Sequence, residues 1–311
     1  MKVLVTGANG FVGDALCRRL AASGHEVTGL VRHPPGPRSW MRIVAAGDLE
    51  AVRDFAPFVA GQEAVVHLAA RVHMMRESAA DPEVAYRRAN VDVTRRLAEA
   101  GTASGVGRFV FLSSIKVNGE ATGDRAFLET DPPAPEDAYG RSKLEAERAL
   151  ADVAGVTILR TPLVYGPGVK ANFRSLVRIC DTPLPLPLDG ITGNRRSLLF
   201  LGNLTHAIER VLATSGPVRG PFLLCDGEDL STADLVRRIR FSLGRRAMPC
   251  PVPATALRGI AALSGRRAAA DRLCGSLRID PRRFADTFGW RPPFTVGQGL
   301  AATAAWYRAS S

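Results

Sequence analysis

Tyr139 and Lys143 stand four residues apart in the stretch AYGRSKLEAE, and a spacing of four brings two side chains onto one face of a helix. A phenol beside an ammonium is an acid–base pair. Tyrosine in water has a pKa of about 10, and a cation within a few ångströms lowers it by favouring the phenolate. A tyrosine tuned in this way can pass a proton to or from a hydroxyl oxygen while a hydride moves at the carbon that bears it. Of 41 basic residues only Lys2, Lys116, Lys143 and Lys170 are lysines, so arginine is the default cation and Lys143 stands out. Ser113 and Ser114 close the β-rich run RFVFLS and its extension; a hydroxyl at a strand tip can hydrogen-bond the same oxygen, and both serines are candidates.

A second group of residues points to what would carry the hydride. Gly7, Gly10 and Gly13 lie between the run KVLVT and a helical pattern with Val12, Leu16 and Leu20 at i, i+4 and i+8. Gly7 permits a tight turn, Gly10 lets backbone approach a pyrophosphate, and Gly13 lets the helix pack on the strand, with Phe11 and Val12 in the turn that faces the phosphates. The spacing therefore predicts a dinucleotide site. The second run, EVTGLV, leads to Arg32 and His33 where an acid would normally hold the ribose 2′-hydroxyl of NAD. An arginine there pairs with a 2′-phosphate, which favours NADP(H), with NAD(H) as the alternative. Asp48, followed by Leu49, is suited to accept from the adenine amino group or to cap a turn.

These residues need strands and helices to hold them. KVLVT (2–6), EVTGLV (26–31), RIVAA (42–46), EAVVHL (63–68), RFVFLS (108–113) and VTILR (156–160) read as strands, and residues 81–104 and 137–154 are long enough for helices. Such alternation predicts an α/β fold with a doubly wound parallel sheet whose ligands bind at the carboxyl ends of the strands. After residue 161 the texture changes to TPLVYGPG and DTPLPLPLDG, whose prolines and glycines suggest loops bordering a cleft. The segment 256–273 has the pattern of an amphipathic membrane helix, but its arginines and glycines favour a packed one. No run approaches the roughly 18–20 apolar residues of a membrane span, so no membrane insertion is expected. The start of the chain reads as a first strand and not as a signal peptide. Cys17, Cys180, Cys225, Cys250 and Cys274 form no C-x-x-C unit, which fits a reducing cytoplasm and implies no metal site. Net charge is +11, yet the basic residues are scattered without aromatic interleaving, which argues against nucleic acid as a partner.

TGANGFVG, HLAA, FLSS, YGRSK and LRTPLVYGPG follow the order and spacing of the extended short-chain dehydrogenase/reductases. The chain resembles their nucleotide-sugar branch, which includes UDP-galactose 4-epimerases and the 4-keto reductases of bacterial polysaccharide pathways. SSIKVNGE, YGPGVKANF, NRRSL and DGEDLST look most like the group that makes UDP-N-acetylquinovosamine-type sugars for O-antigen. The resemblance implies a Rossmann-like dinucleotide domain over 1–164 with a return segment at about 198–222, and a smaller sugar-binding α/β domain over 165–197 and 223–311. It implies a cytoplasmic homodimer with a UDP-sugar substrate. It favours Ser114 over Ser113, adds Leu68, Ala69 and Ala70 to the cofactor contacts, and has Lys143 anchor the nicotinamide ribose while tuning Tyr139.

The same comparison separates reactions. Nucleotide-sugar 4,6-dehydratases carry Asp-Glu after this Ser/Thr; here Ile115 and Lys116 stand there, so dehydration is not expected. Reduction and epimerisation remain, and Arg32 tips the expectation toward an NADPH-using 4-keto reductase, with an NAD-retaining 4-epimerase as the alternative. A non-catalytic dinucleotide sensor is the remote one, because such relatives usually lose the tyrosine or the lysine. Arg196 aligns with the family's pyrophosphate arginine, with Arg195 its close competitor, and Lys170, Asn172 and Phe173 look like the uridine-diphosphate loop. Lys116 is expected either to contact a carbonyl or phosphate or to be solvated. Leu163, Asn118 and the absence of the Arg-x-Gly-Asp element in 270–280 depart from the pattern; Arg278 is the candidate substitute for that element.

Overall fold

The alternating β-rich and helical runs form one seven-stranded, wholly parallel sheet in the computed structural model, which describes residues 1–34, 36–72, 81–246, 248–263 and 267–310. Its strands are β1 (Lys2–Thr6), β2 (Glu26–Val31), β3 (Arg42–Ala45), β4 (Ala64–His67), β5 (Arg108–Ser114), β6 (Val156–Thr161) and β7 (Gly220–Leu223). Their spatial order is β7-β6-β5-β4-β1-β2-β3, so the winding direction reverses between β1 and β4. The helices that matter for the site are α1 (Phe11–Ala22), α2 (Val93–Ala103), α3 (Ala138–Ala149), α4 (Ala171–Cys180), α5 (Leu201–Ala213), α6 (Thr232–Ser242), α7 (Arg282–Phe288) and α8 (Val296–Ala309).

Alternation along each strand builds two cores. Val3 and Val5 face Leu16 and Leu20 of α1, Leu204 and Ile208 of α5, and a group of aromatic side chains formed by Phe222, Phe284, Phe288 and Trp290. Leu4 faces the other way, with Val65, Phe109 and Phe111, toward Leu97 of α2 and Ala146 of α3. All six residues of β6 are buried, as expected for a parallel strand covered on both faces. A third core, with Tyr165, Phe173, Val177, Leu235, Val236 and Leu300, joins α4, α6 and α8 beside the sheet.

The expected helix over 81–104 is interrupted: Pro82–Arg87 runs into a π-helical turn at Arg88–Asp92 before α2 begins. Asn90 in that turn is buried, accepts from the Arg71 amide at 2.8 Å and donates to the Arg71 carbonyl at 3.0 Å and to Ser142 Oγ at 2.9 Å. The wider turn aims an amide side chain at the loop backbone of Arg71. Within 256–273, helices end at Leu263 and restart at Arg267; residues 264–266 lie outside the described part. Among the described residues, no helix is long and apolar enough to cross a membrane.

Candidate active site

The carboxyl ends of β1 and β4 lie side by side, and a threonine ties them together. Thr6 Oγ1 lies 2.7 Å from His67 Nδ1 and accepts from the amides of Leu68 and Ala69, both at 3.1 Å. His67 Nε2 lies 3.0 Å from Thr94 Oγ1, and burial, reinforced by the charge of Lys143, lowers the His67 pKa to about 3. The ring is thus a neutral strut.

Above the strut, Gly7 takes φ +67°, and a Cβ there would lie 3.1 Å from backbone atoms of Ala69. A Cβ on Gly13 would fall 2.1 Å from the Gly7 carbonyl oxygen, so α1 can approach the loop only with glycine at that position. Gly10 is the N-cap of α1 and offers no side chain to the first-turn amides, which suits a helix end built to receive an anion. These features fit a dinucleotide, whose pyrophosphate Gly10, Phe11 and Val12 would hold. At the end of β2, Arg32 Nη2 lies 3.4 Å from Asp48 Oδ2, and both side chains are at least half exposed. Asp48 Oδ1 also accepts from the Glu50 amide at 3.1 Å.

At the end of β5 the two serines face opposite ways. Ser113 is buried with its Oγ on Glu147 Oε1, whereas Ser114 lines a cavity with Tyr139. Asp137 starts α3 by accepting from the Gly140 amide at 2.7 Å, which fixes the first turn that carries Tyr139. Burial pushes the Tyr139 phenol above its usual range, Asp137 and Tyr86 push the same way, and the Ser114 hydrogen bond opposes them. Lys143 Nζ sits 6.0 Å from the Tyr139 ring centre and 4.5 Å from that of Phe111, and donates to the Leu112 carbonyl at 2.9 Å. Burial lowers its pKa to about 7 against the opposing pull of Glu147. The helical spacing does bring phenol and ammonium together, and burial is the largest influence on the phenol.

The cavity holding Ser114 and Tyr139 has a volume of about 410 Å³ and is also lined by Lys116, Lys170, Asn172, Phe173 and Arg196. Lys170 additionally lines a neighbouring cavity of about 500 Å³ that runs along Gly10 and Phe11. Ala171 has φ +51°, the only non-glycine positive φ among the described residues, and this unfavourable turn starts α4 at the cavity wall. Phe173 is mostly committed to the third core, its ring 5.2 Å from that of Tyr165.

Of the arginine candidates, Arg196 lines the cavity and donates to the carbonyls of Arg272 and Gly275 at 2.8 and 3.1 Å. Arg195 is not among the lining residues and donates to the carbonyls of Thr192 and Asn194. Arg278 is also outside the lining: its guanidinium lies 3.3 Å from Asp229 and donates to the Asp124 carbonyl. The cation that the expected Arg-x-Gly-Asp region does supply is Arg272, which sequence reasoning passed over because RLCGS lacks the motif's glycine-aspartate end. Lys116 lines the cavity with its side chain partly exposed, and Glu120 and Asp137 hold its ammonium. Asn118 is buried and structural, accepting from Arg160 Nη1 at 2.9 Å and donating to the Leu128 carbonyl.

The model of the NAD dependent epimerase/dehydratase family matches residues 3–222. The chain belongs to this family. Its resemblance to the extended short-chain dehydrogenase/reductases thus holds, and it is an enzyme of that type. The UDP-glucose 4-epimerase of Vibrio cholerae is 40% identical over 309 residues, covering 97% of this chain and 94% of that protein. MoeE5 in complex with UDP-glucuronic acid and NAD is 27% identical, with a TM-score of 0.77 and coverage of 100% of both chains. The UDP-glucuronic acid 4-epimerase from Bacillus cereus in complex with NAD, at 23% identity, shares the fold with a TM-score of 0.78 over 100% of this chain and 99% of that one.

Proposed function

We propose that this family member is a dinucleotide-dependent oxidoreductase acting at C4 of a UDP-linked hexose or N-acetylhexosamine, working as an NADP(H)-preferring 4-keto reductase in surface-polysaccharide sugar synthesis. The observation that carries this reading is one cavity lined by the hydroxyl pair Ser114 and Tyr139 together with Lys170, Arg196 and Arg272. A proton donor and three cations suited to a diphosphate thus share one space. When bound, the dinucleotide supplies the hydride. Tyr139 gives its phenol proton to the sugar oxygen, Ser114 orients that oxygen, and Lys143 lies under the same helix turn to hold the ribose.

Two features bear on the choice of reaction. Ile115 is buried and Lys116 is bound by two carboxylates at the positions where a dehydratase has its acid and base. Arg32 is available to a 2′-phosphate, because its exposed pair with Asp48 contributes only about 0–1 kcal/mol and exchanges readily. A second reading, a 4-epimerase that retains NAD, is favoured by the 40% identity to a UDP-glucose 4-epimerase. The proposal includes a cytoplasmic homodimer. It assigns 1–164 with 198–222 to the dinucleotide and 165–197 with 223–311 to the sugar, with α7 lending its aromatic side chains to the first part.

The deciding experiment compares UDP-4-keto-6-deoxy-N-acetylglucosamine plus NADPH with UDP-N-acetylglucosamine plus NAD on the purified protein. Turnover of the first pair and an exchangeable nucleotide are expected; stoichiometric retained NAD with interconversion of the second substrate would give the epimerase reading. Tyr139→Phe is expected to lower turnover by roughly 10²–10⁴-fold while dinucleotide binding persists. Retained turnover would refute Tyr139 as the proton carrier.

A further inference from the structure

Lys116 is the residue through which Ser114, Asp137 and the start of α3 meet. Its amide donates to Ser114 Oγ at 3.3 Å, and its carbonyl oxygen is so close to the first turn of α3 that a Cβ on Gly140 would lie 2.9 Å from it. Its ammonium donates to Asp137 Oδ2 at 2.5 Å and to Glu120 Oε1 at 2.6 Å. The other oxygen of Asp137 caps α3 two residues before Tyr139.

We propose that Lys116 is a positioning residue for proton transfer: it clamps the Asp137 carboxylate that starts the helix of Tyr139 and cancels its charge beside the phenol. This inference rests on the reading of Tyr139 as the proton carrier. Among the described residues, Glu120 and Asp137 face Lys116; Glu136 accepts from the Glu120 amide, Arg196 feels the charge of Glu120, and Arg141 feels that of Asp137. Those facing Tyr139 are Ser114, Asp137 and Tyr86, with Lys143 one turn on.

A carboxylate two residues from a phenol disfavours phenolate, and Asp137 acts in that direction on Tyr139. The Lys116 ammonium is placed to limit this effect. Burial by itself would pull the Lys116 pKa down, but Asp137 and Glu120 outweigh it and raise that pKa, so the clamp stays charged across the working pH range. The lysine stands beside the catalytic serine, where a substrate ligand would also stand, but its ammonium is already committed to two acids.

The test measures kcat and KM against pH for the NADPH-loaded enzyme with UDP-4-keto-6-deoxy-N-acetylglucosamine, in wild type, Lys116→Met, Lys116→Arg, Asp137→Asn and the Met/Asn double variant. Asparagine keeps the helix cap while losing the charge. Lys116→Met is expected to move the Tyr139-dependent limb up by about 0.5–1.5 pH units, and Asp137→Asn to move it down, by Coulomb interaction at partial burial. Lys116→Arg is expected to restore the limb, and the double variant to return toward wild type. A purely structural clamp would lower the melting temperature without moving the limb. An unmoved limb, shifts of the same sign, or a tenfold rise in KM with the limb unchanged would overturn the inference, the last making Lys116 a substrate ligand. Tyr139→Phe measured alongside separates the two levels: if it stays active, the functional reading fails; if it is inactive and the limb does not move, only the role of Lys116 fails.

Discussion

Arg160→Met tests the network that holds α3 to the sheet. Arg160 on β6 and Glu147 on α3 are 5% and 6% exposed, and the guanidinium makes three contacts to the carboxylate at 2.6, 3.0 and 3.2 Å. Its remaining nitrogen donates to Asn118, and Ser113 donates to the same carboxylate. Removing one member leaves the other charge buried and uncompensated, a loss of about 3–5 kcal/mol. At about 2–4 °C per kcal/mol, thermal melting followed by far-ultraviolet circular dichroism should fall by roughly 6–20 °C, toward the lower end for a chain this long. The double variant Glu147→Met/Arg160→Met should recover most of the loss, because a buried ion pair exchanged for apolar side chains is often neutral. Glu147→Gln should also take Lys143 below its pKa of about 7, since burial pulls that ammonium down and Glu147 opposes it. A melting change under about 2 °C in Arg160→Met, or a double variant weaker than either single one, would refute the account of this pair.

The remaining predictions concern ligand contacts. Arg196→Met should raise the KM for a UDP-sugar roughly 10- to 100-fold, the loss of about 1.5–3 kcal/mol of charge-assisted hydrogen bonding. Arg278→Met should leave that KM nearly unchanged, because Arg278 serves Asp229 and the Asp124 carbonyl; steady-state kinetics on the two variants checks both statements. Arg32→Asp would set a second acid beside Asp48 and should invert any preference for NADP(H) over NAD(H), measured as the ratio of kcat/KM values. An unchanged ratio would make Arg32 a bystander.

What could be read in the chain was local. The glycine spacing, the strand ends and the Tyr139–Lys143 pair each lie within a few residues, so periodicity and turn chemistry suffice to find them. Strand alternation says that Ser113 and Ser114 face opposite ways, but only the packed helix shows that Ser113 is spent on Glu147 while Ser114 lines the cavity with Tyr139. Arg272 and the carboxylates around Lys116 were not legible, because Glu120, Asp137 and Lys116 meet only after β5 and α3 pack. The interruption at Arg88–Asp92 was hidden too, since Asn90 shows its purpose only beside Arg71 and Ser142. The balance of influences on Tyr139 was not legible either: a helix turn brings the cation near but says nothing about desolvation, the largest influence on the phenol.

The packing of Phe284, Phe288 and Trp290 against Phe222, in the same core as Val3 and Val5, bears on how the protein is made. A chain emerging from the ribosome exposes β1 first, yet one face of its sheet is sealed only when residues some 280 positions later arrive. The glycine loop therefore rides on an unfinished surface for most of synthesis. Contacts so distant in sequence fold slowly and leave apolar surface open to wrong partners. A chain cut short before those three aromatic side chains would leave this face of the first core uncovered.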